Sequence, residues 1–298
     1  MQPLFSRILR TSFLTSALVF SLSTYALDDT AKAAKLKPIE IQSKTAVEIV
    51  NQLSQHHYRK QELNDSLSSR FLDEYLKTLD SSKNIFIASD IAEFDKYRKS
   101  FDDDFKVGKL TNGFAIYSRF GDRFVARLNR VITMLDDKKV EFTFDADESF
   151  NPDRKIATWP VDEDAADKLW MQHIKASLLS SMLSGKTLEE SRTNLRKRFT
   201  TQLRYFNQQT SEEVFSIMMN SLTMLFDPHT NYLSPDNSQS FATSMTNKFE
   251  GIGAELKTDE DYTKVARLIP ASPAEKQGQL KPNDKIVGVA QGEKGEFE

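Results

Sequence analysis

The sequence contains no cysteine. Disulfide bridges, thiolate metal sites and thiol nucleophiles are therefore excluded, and stability must come from a packed core. With 298 residues, of which 39% are hydrophobic and 28% are charged, the chain is long enough for two domains that each bury such a core.

Long apolar runs are also missing, since no stretch after residue 26 is apolar enough to cross a bilayer. The first 26 residues differ: Arg7 and Arg10 precede a short apolar run over residues 12–22, and Thr24-Tyr25-Ala26 offers small residues to a signal peptidase. This pattern predicts a signal peptide at residues 1–26, with an uncleaved anchor as the alternative. A secreted chain of this size without disulfides favours a bacterial periplasm.

An excess of positive charge is lacking as well. The formal net charge is −3, and loss of the signal peptide removes two arginines and lowers it to −5. Nucleic-acid binding is therefore disfavoured. Arg119, Arg123, Arg127 and Arg130 follow one side of a helix, but among nearby acidic residues we interpret them as a solvated face rather than a nucleic-acid or lipid-headgroup stripe.

A linker at residues 27–42 precedes a region, residues 43–234, in which apolar side chains repeat at helical spacing. Cap and carboxylate pairs mark three helix starts: Asp90 with Glu93, Thr187 with Glu190, and Thr210 with Glu213. The last helix is predicted to end before Pro228. Residues 140–144 alternate as in a short strand, and residues 149–161 read as a long loop anchored by Trp159.

After Ser234 the composition shifts to glycine, proline and β-branched residues, which predicts short strands and turns in a domain at residues 235–298. Its first motif is FEGIGAEL, Phe249 to Leu256. A dinucleotide-binding loop needs a third glycine and a following helix, and both are absent here. Strand-like segments at 254–257 and 262–269 instead favour addition of a peptide strand.

The glycine loop then supplies the candidate binding site. Without Cβ atoms, Gly251 and Gly253 let several N–H groups converge on a ligand carboxylate. We assign Gly251, Ile252, Gly253 and Ala254 to carboxylate binding, with Ile252 helping to line a pocket for the ligand's last side chain. Glu255 and Leu256 are assigned to pairing with the peptide strand.

The histidines receive structural interpretations. His56 and His57 lack a carboxylate pattern that would complete a metal site, His173 lies among apolar residues at a core edge, and His229 belongs to the turn DPHTNYLSP. No G-x-S-x-G or H-E-x-x-H motif occurs. We therefore predict neither a metal nor a cofactor.

The segment IPASPAEKQGQLKPNDKIVGV resembles a PDZ domain, with Asn283 where that family usually has glycine; asparagine also tolerates left-handed geometry. The motifs HHYR, LDSSKNIFIASD, WP with LW, and DPHTNYLSP, in this order, make the chain similar to the N-terminal part of bacterial tail-specific proteases. The resemblance implies an α+β protein: an all-α N-terminal domain followed by a partial, β-rich PDZ-like domain.

It further implies a periplasmic serine endopeptidase with a serine–lysine dyad, whose PDZ domain recognises apolar C-terminal tails of protein substrates. The family's Gly-Ser-Ala-Ser nucleophile, its lysine and the second helix of the peptide groove are expected beyond Glu298. We therefore predict that residues 1–298 alone neither cleave a peptide nor bind one tightly. Association with the inner membrane and an adaptor protein on the helical domain are left open.

Two rival interpretations remain from the sequence. A noncatalytic periplasmic PDZ adaptor predicts a stop codon soon after the domain closes. A purely structural helical protein leaves the glycine loop unexplained.

Overall fold

The computed structural model describes residues 35–246, 251–259 and 262–290. The predicted signal peptide lies outside these residues. The α-helices within them are α1 Glu40–Gln55, α2 Asp65–Leu79, α3 Ala88–Phe94, α4 Phe101–Lys106, α5 Thr111–Asp136, α6 Glu163–Leu183, α7 Leu188–Asn207, α8 Ser211–Thr223, α9 Pro235–Thr246 and α10 Pro273–Gln277. The strands are β1 Ala254–Asp259, β2 Tyr262–Leu268 and β3 Lys285–Ile286. The predicted α+β fold is confirmed.

Contacts divide the chain into two compact units, each assembled from separate stretches. The first contains residues 80–94 and 115–209, and the second contains residues 37–79, 95–114 and 210–290 of the described chain. In the second unit α1 and α2 pack against α4 and α8. Its core centres on Phe71, which contacts the rings of Phe101 and Phe105 edge-on at 4.7 and 4.9 Å and stacks on Tyr75.

The core of the first unit is built from α5, α6 and α7. Their buried apolar residues share helical spacing, as in Val125, Leu128, Val131, Ile132 and Leu135 on α5. Asp80 is buried and fixes the turn after α2 by accepting hydrogen bonds from the backbone N–H groups of Asn84, Ile85 and Phe86.

The loop before α6 is anchored at the same turn. Trp159 donates its indole N–H to Asp80 Oδ2 at 3.0 Å, which confirms its predicted anchoring role. Trp170 on α6 donates to the Asn84 carbonyl at 2.8 Å. Residues 140–144 form no strand, so that prediction was wrong; instead Arg192 on α7 donates to the Val140 carbonyl and covers the Phe142 ring.

Two of the three predicted helix caps are confirmed. Thr187 and Thr210 each accept a hydrogen bond from the backbone N–H three residues later, and Glu190 and Glu213 accept from the cap N–H in return. Asp90 is not a cap residue, because α3 begins at Ala88. Its carboxylate lies inside the first turn and accepts from the Ile87 N–H at 3.1 Å.

The arginine row of α5 is not a solvated face, so this interpretation was wrong. Asp90, which is fully buried, pairs with Arg119 at 2.6 Å and with Arg123 at 2.9 Å. Arg127 is only 3% exposed and pairs with Glu163 and with Asp167 of α6, and Arg130 reaches Asp167 at 3.0 Å. The row therefore joins α5 to α3 and α6 through ion pairs.

A small antiparallel sheet of order β1-β2-β3 forms the C-terminal module. Ala254 lies opposite Leu268, and the register shifts between Glu255 and Leu256. Val265 at the centre of β2 is fully buried. The left-handed geometry predicted for Asn283 is confirmed, since its φ is +77° and its N–H donates to the Val265 carbonyl at 2.8 Å.

Helix α9 occupies the stretch where the composition had predicted short strands. Ser234 precedes it and accepts from the Asn237 N–H at 3.3 Å, while Pro235 stands at its first position, where a missing N–H has no cost. None of its residues is buried, and Phe241 and Met245 are 55% and 69% exposed. The helix therefore forms from capping and local geometry rather than from core packing.

Candidate functional site

The glycine loop lies directly before β1, as predicted. Gly251 and Gly253 have φ values of +154° and +78°, which disfavour side-chain-bearing residues. A Cβ added to Gly253 would lie 2.1 Å from the Cβ of Ser272, so this position also lacks space for any side chain. Ser272 caps α10 by accepting from the Glu275 N–H at 3.3 Å, which fixes the neighbour that Gly253 must accommodate.

Hydrogen bonds to the loop's carbonyls orient its peptide planes. The Ile252 carbonyl accepts from the Ala274 N–H at 2.9 Å, and the Gly253 carbonyl accepts from the Ile269 N–H at 2.8 Å. In a planar trans peptide the next N–H points the opposite way. The N–H groups of Gly253 and Ala254 are therefore directed away from α10 and from the end of β2. Such successive outward N–H groups suit a carboxylate.

The outer edge of β1 continues from these N–H groups. Within the described part of the chain, β1 pairs with β2 alone, so its other edge has no strand beside it. Leu256 on this strand is 46% exposed. The carboxylate of Glu255 contacts Arg267 Nε at 2.5 Å, which offsets negative charge close to where an anion would approach. The edge can accept a peptide strand.

A cavity of about 450 Å³ lies between the glycine loop and residues 269–273. Ile252 is 55% exposed and also borders a second cavity, of about 380 Å³, beside α10. All four residues assigned to carboxylate binding line the first cavity. The six residues that the sequence assigned to peptide binding, 251–256, are consecutive, and the N–H groups of Gly253 and Ala254 face away from the cavity wall formed by residues 269–273.

Two other sequence motifs meet elsewhere in the second unit. Tyr58 of HHYR donates its hydroxyl to Asp227 of DPHTNYLSP, and this hydrogen bond lowers the pKa of Asp227 and raises that of Tyr58. His57 Nε2 lies 3.0 Å from the Thr230 hydroxyl, and Arg59 donates to the Phe226 carbonyl at 3.0 Å. We call residues 57–61 and 225–232 together the clasp.

Two histidines, His57 and His229, belong to the clasp, and a third, His173, lies elsewhere. His229 is highly exposed, and its ring Nδ1 lies 3.2 Å from Asp227 Oδ1. His173 stacks on Phe150 and contacts Trp170, which confirms its place at a core edge.

Among the described residues, no group of three or more histidine and acidic side chains is arranged to hold a metal ion. Nor is any described helix long and apolar enough to span a membrane.

Comparisons with known proteins fit this architecture. The family described as "Tail specific protease N-terminal domain" matches residues 49–236. The tail-specific protease of Haemophilus influenzae is 32% identical over 284 residues, which cover 94% of this chain and 40% of that protein. This chain therefore spans well under half the length of that relative.

Shorter matches join it. The carboxy-terminal processing protease CtpB of Bacillus subtilis is 38% identical over 68 residues, or 23% of this chain and 14% of that protein. A probable CtpA-like serine protease of Staphylococcus aureus is 31% identical over 86 residues, or 28% of this chain and 17% of its own length. The family match and the similarity to the Haemophilus protein show that the chain belongs to the tail-specific protease family.

Proposed function

We propose that this chain is the N-terminal and tail-binding part of a periplasmic serine endopeptidase that processes or degrades proteins from their apolar C-terminal tails. The observation that carries the proposal is the outer edge of β1. There the N–H groups of Gly253 and Ala254 point away from their own module, and the edge lacks a partner strand within the described residues. A terminal carboxylate and the strand preceding it fit this arrangement.

In this proposal binding and cutting are separate steps. The tail extends the sheet along Glu255 and Leu256, and its last apolar side chain lies beside Ile252. The serine and the lysine base lie beyond Glu298, with the lysine's pKa lowered by burial so that its neutral form accepts the serine proton. Retention of the tail raises the local concentration of substrate near the dyad.

The first experiment is to sequence the reading frame past the codon for Glu298. Continuation through a second groove helix into a Gly-Ser-Ala-Ser segment and a later lysine supports the protease. A stop codon soon after the module closes overturns it and leaves a noncatalytic peptide-binding adaptor as the better explanation.

Peptide binding is tested by NMR on the ¹⁵N-labelled 298-residue chain. An apolar peptide with a free terminal carboxylate, added at up to about millimolar concentration, should shift the amide signals of Gly251, Gly253 and Ala254. The same peptide with an amidated C-terminus should not shift them.

A matched pair of variants separates the site from the rest of the module. Ile252→Ser should weaken the peptide response, because it removes an exposed apolar contact without opening a core. Val289→Ser changes an apolar residue that is 62% exposed and lies outside the assigned site, and it should leave the response unchanged. Equal responses to both peptide termini would contradict carboxylate recognition.

A further inference from the structure

The small sheet carries a row of lysines on one of its faces. Strand pairing places Lys257 of β1 opposite Lys264 of β2, and Lys264 in turn opposite Lys285 of β3. Residues that lie opposite each other in neighbouring strands project from the same face of the sheet. Positions on the other face include three apolar residues: Leu256, Val265 and Ile286. The alternation therefore separates a basic face from a face with apolar side chains.

The sheet itself does not benefit from this row, because like charges directly opposite each other destabilise a pair of strands. One of the three is neutralised, since Lys264 Nζ lies 3.3 Å from Asp259 Oδ2. Lys285 Nζ lies 4.4 Å from the ring centroid of Tyr262, a contact that stabilises a cation without cancelling its charge. Lys257, which is exposed on the edge strand, has no carboxylate partner among the described residues. Its charge is therefore available to a ligand.

The glycine loop fixes the direction in which a bound tail extends the sheet. The loop precedes β1, so a terminal carboxylate held there lies at the start of the strand, and the tail runs antiparallel to β1. Backbone groups of successive residues in a strand point to opposite edges. The Gly253 carbonyl points to β2, where it accepts from the Ile269 N–H at 2.8 Å. Ala254 and Leu256 therefore offer their N–H and C=O groups to the tail.

Antiparallel pairing then sets which residue of the tail lies beside Lys257. When the last residue lies opposite Ala254, the second from the end lies opposite Glu255 and the fourth lies opposite Lys257. Glu255 is already paired with Arg267, whose Nε lies 2.5 Å from its carboxylate. The fourth side chain projects from the same face as Lys257, with the two Cβ atoms about 5 Å apart. An acidic side chain at this position can therefore form an ion pair with Lys257.

We propose that Lys257 is a specificity-determining residue that favours an acidic side chain at the fourth position from the end of a bound tail. This inference rests on the proposed function, because it needs a tail that extends β1. Lys264 and Lys285 lie behind Lys257 on the same face and disfavour a basic side chain at that position. The substrate class is thereby narrowed from apolar tails to tails in which an acidic residue precedes an apolar end.

The test compares seven-residue peptides whose last three residues are identical and apolar. The fourth residue from the end is glutamate, glutamine or lysine, and a further peptide moves the glutamate to the fifth position, whose side chain projects from the other face. Each is titrated to about millimolar concentration into the ¹⁵N-labelled 298-residue chain, and the amide signals of Gly253 and Ala254 report binding. Glutamate at the fourth position should give about threefold tighter binding than glutamine or the shifted glutamate, and lysine the weakest binding.

Charge variants at exposed positions locate the contact. Lys257→Gln should remove the preference for glutamate over glutamine and leave binding of the glutamine peptide unchanged. Lys257→Glu should reverse the preference, so that the lysine peptide binds more tightly than the glutamate peptide. Lys281→Gln is the matched control, because Lys281 is also exposed but precedes β3, which β2 separates from β1. This control should keep the threefold ratio.

The outcomes separate this inference from the proposed function. If the glutamate and glutamine peptides bind equally well, or if Lys257→Gln leaves their ratio unchanged, the inference is overturned and tail binding stands. If no peptide shifts the loop signals, or if amidation of the last residue leaves binding of the glutamate peptide unchanged, the proposed function fails and this inference fails with it. A ratio that Lys257→Gln abolishes, and that shrinks between about 0.02 M and about 0.5 M salt because salt screens an exposed ion pair, supports the inference.

Discussion

The helical units and the C-terminal β module bury their apolar residues to very different extents. Phe71 and Tyr75 on α2 are 0% exposed, and Phe101 and Phe105 on α4 are 1% exposed. Within the described part of the module, buried apolar side chains are confined to Val265 and Ala274, whereas residues such as Ile252, Leu256 and Val287 are 46% to 86% exposed. The helices are held by burial, while the module is held mainly by hydrogen bonds and special backbone geometry.

The two regions therefore differ in whether their apolar surface is buried or exposed. A core that is already buried stabilises the fold but has no surface left to offer a ligand. The module buries few apolar side chains, so burial stabilises it less than it stabilises the helices. Its exposed apolar side chains can be covered by a peptide or by another protein. We expect substitutions to separate the two regions by the size of their effect on the free energy of unfolding.

The largest effect is expected in the helical core. Phe71→Ala removes a fully buried ring from an aromatic cluster and should lower the free energy of unfolding by about 4 kcal/mol. Leu256→Ala in β1 should lower it by less than about 0.5 kcal/mol, because Leu256 is already half exposed. Urea denaturation of both variants checks this, and similar losses would contradict the comparison.

The next effect is expected where α3 meets α5. Asp90→Asn removes the charge that Arg119 and Arg123 share and should cost about 2 kcal/mol. Arg130→Gln, at a half-exposed partner of the same row, should cost less than about 0.5 kcal/mol. Urea denaturation at pH 7 compares the two.

Asp90 also makes this difference depend on pH. Burial alone would raise its pKa, but hydrogen bonds from Arg123 and Arg119 outweigh burial, so the pKa lies below the ordinary value of 3.8. The carboxylate's contribution to stability is therefore full above about pH 4 and is lost as pH falls through the lower folded pKa. The gap between wild type and Asp90→Asn should persist at pH 5 and shrink towards pH 3; a gap already closed at pH 5 would refute the assignment.

A smaller effect is expected from backbone geometry in the module. Asn283→Val places a β-branched side chain at a φ of +77° and should destabilise the module by about 1 kcal/mol. Asn283→Gly keeps the geometry and should change stability by less than about 0.5 kcal/mol. Hydrogen exchange at the Val265 amide, which is bonded to the Asp284 carbonyl, reports local opening. Equal exchange in both variants would show that geometry is not decisive here.

The smallest effect concerns His173. Burial, followed by the nearby charge of Arg198, lowers its pKa below 6.5. As pH falls from 7 to 5, the unfolded chain binds this proton first, so wild type should lose stability relative to His173→Phe, which keeps an aromatic ring beside Phe150 and Trp170. Denaturation curves of both proteins at pH 7 and pH 5 measure this loss of stability. If their free energies of unfolding differ by the same amount at both pH values, His173 is not the source of the pH dependence.

Local patterns predicted much of this architecture. Helical spacing located the aromatic core, the threonine capping boxes marked the starts of α7 and α8, and the type of residue predicted the left-handed geometry of Asn283. The position of the glycine loop was predicted correctly, because the local backbone geometry at Gly251 and Gly253 favours glycine. These features depend on neighbours within a few residues of each other.

Features that depend on distant partners were not predictable in this way. The arginine row looked solvated because Asp90 and Glu163 lie 29 to 40 residues away from their arginines in the sequence. Residues 140–144 alternate like a strand but find no strand to pair with. Helix α9 has no buried stripe, and the signal that identifies it is the Ser234-Pro235 start.

The clasp has a consequence for the order in which the protein folds. Its hydrogen bonds join Gln61 to the Leu225 carbonyl and His57 to Thr230, across 164 and 173 residues of chain. Contacts of such high sequence separation require a large loop to close first, which slows folding. The segment that begins with α1 therefore cannot reach its final environment until the chain as far as residue 230 has arrived in the compartment where the protein folds.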